Sequence, residues 1–293
     1  MMRGVDHLVL PVEELDIARA RYEALGFTVA PDARHPFGTE NACVFFANRT
    51  YLEPLAVGER AVVEKFARKG LTFLRRYQAY RFRHGLDGFA MMAVTSEDAK
   101  TDHAVYTEEG FAAGDVFTFD RQAADASGNE TTIGVRLAFA IDENAPDATF
   151  FSCQHINTDV FWHADRTTHS NGALGLAEII LTEDNPTDFQ YILQTVTGQR
   201  DPRVSSFGMH FSPPKADVSV LSPAGFEAIY GEAAPNAGRG LRFAAFVVGV
   251  ESLSSVSAIL GLGDVDHRLN NDMIVVPPAP GQGTAIVFKE VRP

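Results

Sequence analysis

Four apolar, strand-like runs recur along the chain, each opened by a glycine: GVDHLVLPV from Gly4, GLDGFAMMAV from Gly85, GLAEIILTED from Gly175 and GLRFAAFVVGV from Gly240. A stretch with helical spacing follows each run. It stops at a second glycine 21 to 25 residues after the first, at Gly26, Gly110, Gly198 and Gly261. A period of this kind marks one supersecondary unit copied and diverged.

In the first copy, alternation places Val5, His7 and Val9 on one strand face and Leu8 and Leu10 on the other. Leu15, Ile17, Ala18, Tyr22 and Leu25 then follow at helical spacing. Three strand-like stretches complete the copy, FTVAP, NACVFFA and TYLEPLAV, the last two joined by a short Asn48-Arg49 link suited to a hairpin. The unit reads βαβββ. The second copy repeats it with GFAMMAV, a helix within Ser96 to Glu109, and the strands GDVFTFDRQ, TTIGVRLAFAID and ATFFSCQHI. The third and fourth place helices near Pro186 to Val196 and Leu253 to Leu260, each followed by its own strands.

The predicted class is α+β, with four βαβββ modules pairing into two domains. Modules 4–57 and 85–156, joined by a helical connector at 58–84, form a first domain over 1–156; residues 157–172 form a linker, and 173–293 a diverged second domain. Each helix is expected to cover one face of its sheet, leaving the opposite faces to close around a cleft. Pairing within one chain and pairing across a homodimer both satisfy this pattern.

Bulk properties narrow the partners. The chain has 293 residues, is 45% hydrophobic and 22% charged, and carries a formal net charge of -13. That charge disfavours nucleic acid and anionic membranes, which bind through positive patches. Cys43 and Cys153 each sit in an apolar run, which predicts buried thiols and a reducing, cytoplasmic setting rather than a disulfide framework. No apolar run near the N-terminus is long enough for a signal peptide or a membrane span. The expected partner is a small molecule.

The residue three after each opening glycine is His7, Gly88, Glu178 or Phe243. His7 is expected to look into the cleft, away from Leu8 and Leu10. On the fourth strand Tyr51, Glu53 and Leu55 share a face, and a carboxylate among apolar neighbours is costly unless paired or ligating. His7 with Glu53 suits a divalent ion such as Zn²⁺, Fe²⁺, Mn²⁺ or Ni²⁺, with a hydrogen-bonded polar pair as the alternative. His35, Thr39 and Asn41 gather around the turn at Gly38, placing polar groups where they could meet a ligand oxygen.

The stretch from Gly4 to Val57 resembles the glyoxalase-like branch of the vicinal oxygen chelate superfamily. The DH opening, the LGF helix end, the H-x-x-G-T-x-N segment at His35 to Asn41 and the YLE strand carry the resemblance, and FFSCQH and HSNGALG are weaker matches. It implies paired modules forming glyoxalase-like domains, with a metal held from first and fourth strands, here His7 and Glu53. The partner module departs from the fullest pattern, because Gly88 cannot ligate. Its fourth strand offers Gln154 and His155, of which alternation lets one face the cleft. Alignment to the YLE strand favours Gln154 as a substrate contact; ligand chemistry favours His155 as the third metal ligand.

The resulting expectation is a metal site of His7, Glu53 and His155, with Glu53 also moving a proton and His35, Thr39, Asn41, Tyr51 and Gln154 meeting substrate. Phe243 is expected to fill the corresponding space of the second half and leave Glu178 satisfied by its neighbours. Trp162, His163 and His169 read as packing. The leading function is a metal-dependent lyase or isomerase acting on a dicarbonyl, hydroxy-acid or diol. Alternatives are an extradiol-type dioxygenase, a metal-free drug-sequestering protein and an interaction scaffold.

Overall fold

The first copy folds as strand β1 (Val5–Pro11), helix α1 (Leu15–Ala24), then β2 (Ala33–Arg34), β3 (Thr39–Asn41), β4 (Val44–Phe45) and β5 (Tyr51–Val57). The connector supplies α2 (Arg60–Arg68) and α3 (Thr72–His84). The second copy contributes β6 (Met91–Thr95), α4 (Ala99–Glu108), β7 (Phe117–Ala124), β8 (Glu130–Ala140) and β9 (Thr149–Ile156). A short α5 (Ala164–Thr167) lies in the linker. The third copy runs β10 (Ala173–Thr182), α6 (Gln190–Thr197), β11 (Arg203–Ser205), β12 (Gly208–Phe211) and β13 (Asp217–Leu221). After α7 (Pro223–Tyr230) the fourth is β14 (Arg242–Val250), α8 (Leu253–Leu262), β15 (Arg268–Asn270), β16 (Met273–Val276) and β17 (Ala285–Glu290). This computed structural model describes residues 2–85, 87–124, 130–235 and 238–291.

The copies pair into two sheets. One runs β2-β3-β5-β1-β6-β9-β8-β7 with β4 attached to β5; the other runs β11-β12-β13-β10-β14-β17-β16-β15. Within each copy the last strand lies parallel to the first, and two copies meet through an antiparallel pair, β1 with β6 and β10 with β14. The mixed α+β class and the paired modules follow the sequence reading. The run FTVAP does not form a strand: residues 27–32 are irregular, and pairing resumes at Ala33. Pro31 within that run has no amide hydrogen to give a ladder.

The helix-covered faces of the two sheets share one core. Leu8 and Leu10 of β1, Tyr22 of α1, Tyr106 of α4, Val196 of α6 and Leu260 of α8 are buried in a single apolar cluster with Ile179, Phe246 and Phe288 of the second sheet. Phe243 belongs here too, its ring stacked 4.2 Å from that of Phe89. It therefore does not fill the second half's concave side, contrary to expectation. Phe226 and Tyr230 of α7 do so instead, packed on Ile180, Val247 and Val287.

Helices also lie on the concave face of the first sheet, a second departure from expectation. Val63 of α2 and Phe73, Leu74 and Tyr77 of α3 pack with Val9, Leu55, Ala93 and Phe151. The Tyr77 hydroxyl donates to the Leu55 carbonyl at 3.0 Å. The connector closes part of the cleft because its apolar stripe finds no other uncovered surface.

Gly88 also sits elsewhere than the copy alignment implies. It precedes β6, its amide donates to the Pro11 carbonyl at 2.9 Å, and a β-carbon there would meet the Tyr80 hydroxyl at 2.2 Å. The residue opposite His7 across the antiparallel pair is Ala93, which cannot ligate either.

Candidate metal centre and pocket

β1 carries His7 opposite Tyr51 and Val9 opposite Glu53 on its parallel neighbour β5. Toward β6 the register slips: Val5 faces Val94 but His7 faces Ala93, so Asp6 is the extra residue of a β-bulge. A bulge re-aims a side chain. Strict alternation would turn Asp6 to the Leu8 side, yet its Oδ1 accepts from His7 Nδ1 at 2.7 Å and from His155 Nε2 at 2.9 Å. Asp6 and His7 are buried. Burial alone would raise the Asp6 carboxyl, but the charge and hydrogen bonds of His155, then of His7, outweigh it and hold the carboxyl well below its ordinary range.

An ionised carboxylate only accepts, so His7 Nδ1 is the donor and, in the neutral ring, Nε2 carries the bare lone pair. That nitrogen faces Glu53 Oε2 at 3.7 Å, too far for a hydrogen bond. The ring itself stacks on Tyr51 with centroids 4.3 Å apart. Glu53 is buried and its Oε1 accepts from Asn41 Nδ2 at 2.6 Å. His35 Nε2 stands 3.7 Å from the same oxygen, and its Nδ1 is 2.9 Å from Thr39 Oγ1. Burial, reinforced by the charges of Arg121 and His7, pushes His35 down to about 3.

On β9 the alternation puts Phe151, Cys153 and His155 into the pocket. Gln154 points to the other face, where its side chain accepts from the Ala99 amide at 3.2 Å and donates to the Glu97 carbonyl at 2.9 Å. It holds the start of α4 and does not reach the pocket, so the substrate contact expected of it is not made. His155 Nε2 is 3.4 Å from Cys153 Sγ as well as bonded to Asp6, and its Nδ1 is buried without a partner. Burial opposes charge on His155, but the Cys153 sulfur and the Asp6 carboxylate raise it well above an ordinary histidine. Burial pushes the Cys153 thiol up.

One donor atom each from Asp6, His7, Cys153 and His155 lie within 4.8 Å of one another, among the described residues. Two imidazoles, a carboxylate and sulfur suit a borderline divalent ion. Every close contact in that group, however, is a hydrogen bond occupied by a proton. Outside those contacts stand His7 Nε2, bare in the neutral ring and spaced from Glu53, and His155 Nδ1, which must give up its proton to ligate. His155 Nδ1 is a buried unpaired atom of the kind that a bound ion explains. The residues present thus fit a metal by donor type, and among the described residues the cluster with donors within 4.8 Å of one another does not include Glu53.

His7, Glu53, Cys153 and His155 line a cavity of about 50 Å³, walled by Phe37, Phe73, Phe119 and Phe151 and joined by Arg121 of β7. Sequence reasoning missed Cys153 and Arg121 as pocket residues, and Asp6 as the partner of the two histidines that line the pocket. Asp6 is invisible without the bulge. Arg121 was detectable, because in FTFDR the alternation that sends Phe117 and Phe119 inward sends Arg121 with them. In the second half Glu178 accepts from Ser219 Oγ and the Tyr230 hydroxyl, so that carboxylate is satisfied by its neighbours. His169 lies in the linker and pins it: Thr28 N donates to Nδ1 and Nε2 donates to the Phe45 carbonyl, each at 3.0 Å. His163 and Trp162 flank the short α5 of that linker; Trp162 packs its ring edge against Phe45.

The model of the glyoxalase-like domain family matches residues 5–197, which is 193 of the 293 residues. Among solved structures, a hypothetical protein from Staphylococcus aureus is similar with a TM-score of 0.69 at 11% identity, over 99% of this chain and 100% of that one. A mutant of 4-hydroxymandelate synthase from Streptomyces coelicolor gives a TM-score of 0.62 at 11% identity, over 99% and 92%. The Mn(II)-bound glyoxalase from Novosphingobium aromaticivorans gives 0.58 at 10% identity, over 99% and 83%. At these identities the likeness is one of fold. No curated protein sequence matches the chain. Among the described residues no helix is long and apolar enough to cross a membrane.

Proposed function

The chain belongs to the glyoxalase-like domain family, and from that premise we propose a metal-dependent lyase or isomerase acting on a small molecule with two adjacent oxygens. The observation that carries the reading is the bare His7 Nε2, held 3.7 Å from Glu53 Oε2 in a buried cavity. A carboxylate that fixes one imidazole nitrogen so that the other can ligate is a recurrent support for metal-bound histidine. Asp6 has that role toward His7. His7, Glu53 and His155 would hold the ion, and a bound divalent ion supplies Lewis-acid stabilisation of negative charge developing on the substrate oxygens.

The remaining work falls to the chain's own groups. Asn41 fixes Glu53 Oε1, leaving Oε2 to take a proton from the substrate carbon beside the oxygens. Tyr51 is stacked behind His7 and keeps that ring from rotating. Neutral His35, with Thr39 on its other nitrogen, places a polar edge on the same side of Glu53. Phenylalanine walls exclude water, which strengthens each of these electrostatic contacts.

The test is calorimetric titration of Mn²⁺ into chelator-stripped protein. His7→Ala and Glu53→Gln are expected to weaken binding at least about 100-fold, Asp6→Asn by about 10- to 100-fold, and Cys153→Ser not at all. Loss of binding in Cys153→Ser with Glu53→Gln unaffected would place the ion among Asp6, His7, Cys153 and His155 instead. Unchanged binding in His7→Ala would remove the metal reading.

A further inference from the structure

Arg121 occupies a position where the strand pattern calls for an apolar residue. It lies opposite Ile133 on β8, two residues from Phe119, which faces Val135. Its neighbours on the outward side are accounted for differently: Asp120 pairs with Arg136 at 3.0 Å. The guanidinium of Arg121 lies over the Phe161 ring, 5.4 Å from its centroid, and its Nε is buried without a hydrogen-bond partner. A cation–π contact covers the face of a guanidinium but leaves its N–H donors free. Among the described residues no carboxylate pairs with it.

Two cavities meet at this side chain. The inner one holds His7 and Glu53; a second, of about 300 Å³, opens outward past Ala30, Pro31 and Gln122. Asn41, Cys43, Phe45, Arg121 and Phe161 belong to both. Arg121 therefore stands at the boundary between the outer cavity and the metal-competent groups. Asp32 and Arg166 also line the outer cavity, and Asp32 is engaged by Arg19.

We infer that Arg121 is a substrate-anchoring residue, and that the substrate is a monocarboxylate whose carboxylate docks on this guanidinium while its oxygen-bearing end reaches His7 and Glu53. The inference deepens the metal-dependent reading and rests on it for the second half of that statement only. A planar guanidinium presents paired donors that match a carboxylate bidentately. One charge suits one charge: Glu53 lines the same cavity, so a dianionic phosphate would meet more repulsion there than a monocarboxylate. The phenylalanine walls fit an apolar or aromatic body between the two ends.

The test compares phenylacetate with its neutral isostere phenylacetamide by calorimetry, in both Mn²⁺-loaded and chelator-stripped protein. Wild type is expected to bind phenylacetate at least tenfold more tightly than the amide in both states. Arg121→Gln should lose that preference while keeping its Mn²⁺ affinity, Arg121→Lys should keep part of it, and Arg166→Gln should keep all of it. No preference in the wild type, or a preference that survives in Arg121→Gln, overturns the inference. A preference that disappears when the metal is stripped shows the carboxylate on the ion, and one lost in Arg166→Gln shows it in the outer cavity; either result overturns it as well. Failure of the metal reading appears separately, as absence of Mn²⁺ binding in the wild type.

Discussion

His35, beside Glu53, illustrates how burial sets chemistry at a single residue. His35 is driven down to about 3 by burial first, with the charges of Arg121 and His7 adding to it. In the unfolded chain a histidine takes up its proton near 6.5, whereas folded His35 stays neutral until about 3. The unfolded state therefore binds more protons across that window, and stability falls as the pH drops through it, by up to about 5 kcal/mol. His169, pushed down to about 4 by burial, acts in the same direction. In chemical denaturation measured from pH 7 to pH 4, His35→Asn is expected to reduce the slope of stability against pH by about half. A slope equal to that of the wild type would show that His35 is not held neutral by the fold.

Strands and helices decide which residues reach the pocket. The four βαβββ copies were legible because the period-2 runs, the helical spacing and the closing glycines are local properties of the chain. His7 and Glu53 were legible for the same reason, each being an outlying polar residue on a face that alternation defines. What alternation could not supply was the slip between Val5 and His7, which turns Asp6 inward, or the start of β6 at Met91, which displaces Gly88 from the position opposite His7. The choice between Gln154 and His155 needed the register of β9 against β8, where Val135 of the pocket wall faces His155. Gln154 then becomes a helix-start residue. Losing its bonds to Ala99 N and Glu97 O exposes two backbone groups, so Gln154→Ala should cost about 1 kcal/mol of stability and leave Mn²⁺ affinity unchanged. A fall in metal affinity in that variant would mean that β9 presents its other face in solution.

At the scale of the molecule, the helix-covered sides of the two sheets form one core rather than two, which the copy pattern alone did not reveal. Phe243 stacks on Phe89 at 4.2 Å and lies 5.6 Å from Phe150, joining the fourth copy to the second. Phe243→Ala should therefore destabilise by about 3–5 kcal/mol. It should do so within a single cooperative unfolding transition monitored by both circular dichroism and tryptophan fluorescence. Two separated transitions would show that the sheets are energetically independent. The shared core also fixes β1, β5 and β9 from behind, so that the cavity side carries the adaptable polar groups. X-ray absorption at the metal edge of the Mn²⁺- or Zn²⁺-loaded protein addresses the central claim directly. An ion held by His7, Glu53 and His155 gives a first shell of nitrogen and oxygen alone with imidazole scattering beyond it; a sulfur scatterer, at about 2.3 Å for Zn²⁺, would contradict the account by placing Cys153 in the shell.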